Sequence, residues 1–122
     1  MALSLWGRPL SFDRAASNHS AIAVYGKRLP FNSFYAQPGA DGTDMFLQLH
    51  SWPWHVNYVH PPAPTLGRLV TFLPSTKARS IVVFPLPAPK AWWSYAAQPT
   101  SDGVVATTEV GGFRIIAYDF TK

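Results

Sequence analysis

From residue 55 onward, apolar and polar positions fall into regular patterns. Leu66, Leu69, Val70 and Leu73 recur at i, i+3, i+4 and i+7, the stripe of a helix with one buried face. Pro64 suits the first turn, where a missing N–H costs nothing. Pro74 cannot continue the helix and predicts its end. Before it, His55-Val56-Asn57-Tyr58-Val59 reads as a strand. After it, Ser80-Ile81-Val82-Val83-Phe84 is a continuous β-branched run, the pattern of a strand buried on both faces, as in a parallel sheet. Strand, helix and strand over 55–84 match the ~30 residues of a βαβ unit.

Pro85, Pro87 and Pro89 then predict a stiff loop, 90–97 a short helix and 98–103 a turn. Two further strands follow, 104–110 and 113–120, joined by Gly111-Gly112, a pair suited to a two-residue hairpin. The first half is less regular. Leu10-Ser11-Phe12 suggests a short strand closed by Asp13-Arg14, residues 15–24 a loop or short helix, and 44–49 a short helix or turn. Pro38-Gly39-Ala40-Asp41-Gly42 is a strong turn signal, because Pro presets φ and Gly and Asp tolerate positive φ. Together these elements predict one domain over 1–122. Its class is α/β: a small, open, mostly parallel Rossmann-like sheet with a C-terminal hairpin.

Composition narrows the chemistry. At 122 residues and 48% hydrophobic content, the chain can build one packed core. Only 13% of residues are charged, about half the usual ~25%, so much of the surface is neutral or apolar and a partner is expected to cover some of it. The absence of cysteine removes disulfides, thiolate metal sites and a thiol nucleophile. His50, His55 and His60 recur every five residues, a spacing that shares neither a helix face nor a strand face, so no metal site is expected. No G-x-S-x-G elbow is present for hydrolase chemistry. No stretch approaches the ~20 apolar residues of a membrane span. The start is too short and too interrupted, by Arg8 and Pro9, for a secretory signal. The compartment stays unassigned within the cell, and the acid-poor start leaves organelle import open.

The formal charge of +4 is compatible with a polyanion. Arg68, Lys77, Arg79 and Lys90 form the best candidate nucleic-acid patch, since no acid falls between residues 45 and 101. Five tryptophans are many for so small a domain. Trp52, Trp54, Trp92 and Trp93 are the candidates for contact with other protein subunits, because aromatics supply much of the energy of such contacts.

In an open α/β sheet, ligands bind beyond the carboxyl ends of strands, and two proline-rich loops, 60–64 and 85–89, leave such ends. The string Asn57-Tyr58-Val59-His60-Pro61-Pro62 is followed by an amphipathic helix, an apolar strand ending in Pro85, Trp92-Trp93 and the strand from Gly112 to Ile115. It is preceded by Phe12-Asp13, Ala16-Ser17-Asn18, Phe34-Tyr35, Pro38-Gly39-Ala40-Asp41-Gly42 with Asp44 and Phe46, and Trp52 or Trp54. In order and spacing this resembles the phage-type DNA adenine-N6 methyltransferases, in the version carried by DIRS-type tyrosine-recombinase retroelements. The resemblance runs from about residue 11 to 119 and rests on many weak motifs, none decisive alone.

The resemblance implies a catalytic corner at His60, Pro61 and Pro62, S-adenosylmethionine as cofactor, and Asp13 as a cofactor contact. In that family an Asn or Asp oxygen and the carbonyl of the first proline accept the two hydrogens of the adenine amine. The next aromatic stacks on the flipped base. Here His60 stands in place of the acid or amide, and Ala63 in place of the aromatic. A neutral imidazole accepts one hydrogen bond and a protonated one accepts none. A methyl group cannot replace a stacking ring worth roughly 1–3 kcal/mol. The expected function is therefore a non-catalytic, methyltransferase-like domain. It would act without cofactor as a binding or structural subunit of a larger assembly, one that could include nucleic acid. The alternatives are an active S-adenosylmethionine-dependent adenine-N6 methyltransferase and an unrelated small α/β interaction protein.

Overall fold

The computed structural model describes residues 6–16, 21, 23–24, 26–86 and 102–121. The expected helix over 90–97, with Lys90, Trp92 and Trp93, lies outside them. Among the described residues the strands are β1 (Phe12–Asp13), β2 (Ala23–Val24), β3 (Lys27–Arg28), β4 (Val56–Val59), β5 (Arg79–Pro85), β6 (Val104–Val110) and β7 (Phe113–Asp119). The α-helix is α1 (Leu66–Phe72), and short 3-10 turns occupy Met45–Leu47, Trp52–Trp54, Ala63–Thr65 and Leu73–Thr76.

The main sheet has the order β1-β4-β5-β7-β6, and β2 and β3 form a separate antiparallel pair. β1 pairs parallel with β4, and β4 with β5. β7 is antiparallel to both its neighbours, along all of β5 and most of β6.

This corrects the expected class. Among the described residues strand outweighs helix, 35% to 21%, and the sheet is mixed, with most of its ladder antiparallel, so it is not a Rossmann-like parallel sheet. The apolar run of β5 is buried on both faces, but one of its neighbours is the returning strand β7. A run of buried β-branched residues reports enclosure and not strand direction. A doubly wound fold also needs helices on both faces, and among the described residues α1 is the one α-helix.

Two apolar clusters cover the two faces. Side chains alternate along β5 and β7, so Val82, Phe84, Ile116 and Tyr118 meet Leu66, Leu69 and Leu73 from α1, with Met45 and Trp52. Ile81, Val83 and Ala117 meet Leu10, Leu29 and Val56 on the other face. At Pro74 the α-helix gives way to a 3-10 turn that ends with Lys77 in the left-handed region at φ 52. The β6–β7 hairpin turns at Gly111 and Gly112, whose φ values of 56 and 81 are those of a type I′ turn.

Candidate functional site

The parallel pairing of β1 and β4 brings their carboxyl ends to one rim. Ser11 N–H donates to Val56 O (2.9 Å) and Arg14 N–H to Tyr58 O (2.8 Å). A second segment flanks β1: Asp13 N–H donates to Pro30 O (3.0 Å), Asn32 N–H to Asp13 O (2.9 Å) and Ala16 N–H to Asn32 O (3.0 Å). Asp41 folds the following loop back. Its N–H donates to Phe31 O (2.7 Å), and its Oδ2 accepts from Phe31 N–H (3.2 Å). The loop tip thereby presents Phe34, Tyr35 and Gln37 toward the end of β4.

The result is a cleft of about 440 Å3 lined by Ala15, Ala16, Phe34, Tyr35, Gln37, His60, Pro61 and Pro62. That volume lies in the range of small-ligand sites, roughly 300–1,000 Å3. Pro61 is buried, while His60 and Pro62 are exposed. The His60 ring meets Phe113 edge-on, with centroids 5.7 Å apart, so the hairpin tip stands beside the corner. The Pro62 carbonyl accepts from the Thr65 N–H (3.0 Å) and hydroxyl (2.8 Å), which starts the turn into α1. The walls are rings, prolines and methyl groups, with one amide at Gln37. Such walls suit a flat or proline-like apolar group. They offer no lining carboxylate for acid–base work.

No protein-family model, curated protein or solved structure matches this chain. The resemblance to the adenine methyltransferases therefore rests on the residues quoted for it alone.

Asp13 ends β1 at the same rim but is buried, and its Oδ1 accepts from Ala15 N–H (3.3 Å). It adds to the burial that pushes the Tyr58 hydroxyl above its usual pKa. Beneath this rim lies a residue that sequence reasoning passed over. Arg14 is buried, and its guanidinium is held by amides and a hydroxyl instead of a carboxylate. Nε donates to Asn57 Oδ1 (2.7 Å), and Nη1 donates to Asn32 Oδ1 (2.9 Å) and Ser51 Oγ (2.9 Å). The group stacks 3.7 Å from the Phe12 ring centre and 4.7 Å from that of Trp52. Nη2 is buried without an acceptor. Burial lowers the pKa to about 9, which leaves the cation charged at neutral pH. Asn57 Nδ2 extends the clasp to the carbonyls of Trp52 (3.1 Å), His55 (3.0 Å) and Arg79 (3.1 Å). The sequence offers only a cation at the end of a short strand, with Asn32, Ser51 and Asn57 elsewhere in the chain able to receive it. Only folding shows that they converge.

The cations of the expected basic patch have different surroundings. Arg68 is exposed on α1, with its guanidinium 4.0 Å from the Phe46 ring centre. Lys77 is exposed at the turn before β5. Arg79 begins β5, at the end opposite the cleft, and its Nε pairs with Asp119 Oδ2 at 3.4 Å. Its charge is thus balanced within the chain. The tryptophans also divide. Trp52 is 0% exposed, and its Nε1 donates to Met45 O (3.1 Å), so it is core and not a partner contact. Trp54 is 80% exposed. The histidines fall in different places: His50 exposed, His55 bonded through Nδ1 to Ser11 Oγ (3.0 Å), and His60 at the cleft. Among the described residues no helix is long and apolar enough to cross a membrane.

Proposed function

We propose that this chain is a non-catalytic binding domain. It serves a larger assembly, and the double-proline cleft is its main recognition surface. The observation that supports this most is the lining of that cleft. The corner that methyl transfer would need ends in His60-Pro61-Pro62, without the acid or amide that localises an adenine lone pair. The remaining walls are rings and methyl groups, with the one amide of Gln37. Binding by such a site draws on apolar burial and ring contacts. Exposed Trp54 is the further candidate for contact with protein subunits, and of the described cations in the expected patch Arg68 and Lys77 are the exposed ones, available to a polyanion.

The test is titration of S-adenosylmethionine into the purified chain by calorimetry, paired with a DNA methylation assay. No heat at millimolar cofactor and no methyl transfer are expected. Binding together with transfer to adenine, lost in His60→Ala and Pro61→Ala, would replace this reading with the second one, an active adenine-N6 methyltransferase. One observation keeps that second reading in view: the corner follows β4 into an open cleft and is not sealed in the core. Nucleic-acid binding, if present, is expected to weaken with salt and with Arg68→Ala or Lys77→Ala.

A further inference from the structure

The two edges of the sheet are finished differently. On the β1 side, residues 30–32 run alongside and exchange backbone hydrogen bonds with Asp13 and Ala16. On the other side β6 closes the strand order, and among the described residues no strand pairs with its outer edge. Every side chain from Val105 to Val110 is exposed, with Val105 at 53% and Val110 at 60%.

Natural edge strands are protected by shortness, lysine, proline or bulges. β6 is seven residues long, Val-Val-Ala-Thr-Thr-Glu-Val, with neither lysine nor proline. Its one bulge lies between Val104 and Ala106, at the strand's start, and leaves Ala106 to Val110 in regular register with β7. Its one charge, Glu109, is matched by Arg114 across the hairpin.

We propose that two copies of this chain pair antiparallel through β6, about a two-fold axis at Thr108, so that their sheets become continuous. A two-fold axis sets the same strand against itself, so the pairing must be self-complementary and free of opposed like charges. With the axis at Thr108, Ala106 faces the second copy's Val110, and Thr107 faces its Glu109. Thr108 meets its own counterpart, a favourable cross-strand pair. The two glutamates stay apart. An axis at Glu109 would oppose them directly, so the charge fixes the register. A five-residue pairing is small beside the roughly 1,200–2,000 Å2 of a stable interface, so the dimer depends on concentration. This inference stands apart from the cleft.

Sedimentation velocity of the full chain over a concentration series, from micromolar to millimolar, tests it. The wild type is expected to shift from monomer to dimer. Thr108→Lys and Thr108→Glu each place like charges across the axis on an exposed site, and each is expected to stay monomeric with an unchanged circular dichroism spectrum. Mixing the two variants is expected to restore the dimer, which a merely structural role for Thr108 would not do. A wild type that stays monomeric throughout overturns the proposal. So does a dimer that persists in Thr108→Lys, or a mixture that fails to associate.

Discussion

The rim around β1 and β4 and the β6–β7 hairpin are built on opposite principles. At the rim, polar groups are buried and almost all are spoken for: Arg14 bonds Asn32, Ser51 and Asn57, and Asn57 reaches on to the Arg79 carbonyl. At the hairpin, β6 is exposed from Val105 to Val110, and among the described residues β7 is the strand that pairs with it, with Val104 at its start packed against the core. Buried polar networks cost much when broken, because each orphaned group loses both its partner and water. An exposed strand costs little when altered, since its side chains are solvated before and after unfolding. The first region fixes a shape, and the second offers a surface.

The sharpest way to break the contrast is to remove the clasp. Arg14→Ala deletes charge-assisted hydrogen bonds and two ring contacts, and leaves Asn32 and Asn57 facing a void. A loss of roughly 3–5 kcal/mol is expected, read from the urea midpoint. A loss under about 1 kcal/mol would show the clasp to be dispensable. Arg14→Met keeps the volume without the charge and is expected to lose less, because a buried cation without a carboxylate itself costs stability.

Next in size is a hairpin position that does touch packed side chains. Gly103 has φ 81, and a Cβ there would run into the Phe120 ring. Gly103→Ala is expected to lose about 1–3 kcal/mol from strain and overlap, measured in the same denaturation series.

The pH dependence separates the two regions again. Burial, then the nearby Arg14 charge, lowers the His55 pKa below 6.5. Its contribution is fully present above pH 6.5 and is lost as pH falls through the lowered value. The melting temperature should therefore drop on acidification, and His55→Gln should flatten that limb. Burial raises Tyr118 from 10 to about 12. Its contribution is present below pH 10 and is lost as pH climbs toward 12, so Tyr118→Phe should flatten the alkaline limb. The smallest effect is expected on β6. Val110→Ser should change stability by less than about 0.5 kcal/mol, and a larger loss would mean that β6 is packed against something.

Much of the framework was legible because it depends on near neighbours. The α1 stripe, Pro74 as the end of the α-helix and the Gly111-Gly112 turn follow from periodicity and allowed φ values within a few residues. The corner at His60-Pro61-Pro62 was legible as the end of a strand. Its cleft was not, because Phe34 and Tyr35 arrive from a loop that Asp41 folds back from outside the motif. Arg14 read only as part of the end of a short strand, since its immediate neighbours say nothing of Asn57 or Ser51. Trp52 and Trp54 look alike in sequence, yet the 3-10 turn through Pro53 sends one into the core and the other to solvent.

Alone, the sequence determined where β4, α1, β5 and the β6–β7 hairpin lie, since backbone sterics and short-range hydrophobic patterning set those; the short β2–β3 pair, where a loop or short helix was expected over 15–24, was not legible in it. Tertiary structure alone decided the sheet's class, the burial of Arg14 and the place of β6 at the end of the described strand order. Each depends on which distant segment becomes a neighbour. A strand's apolar run records that it is enclosed, but the direction and identity of what encloses it are settled only when the whole chain packs.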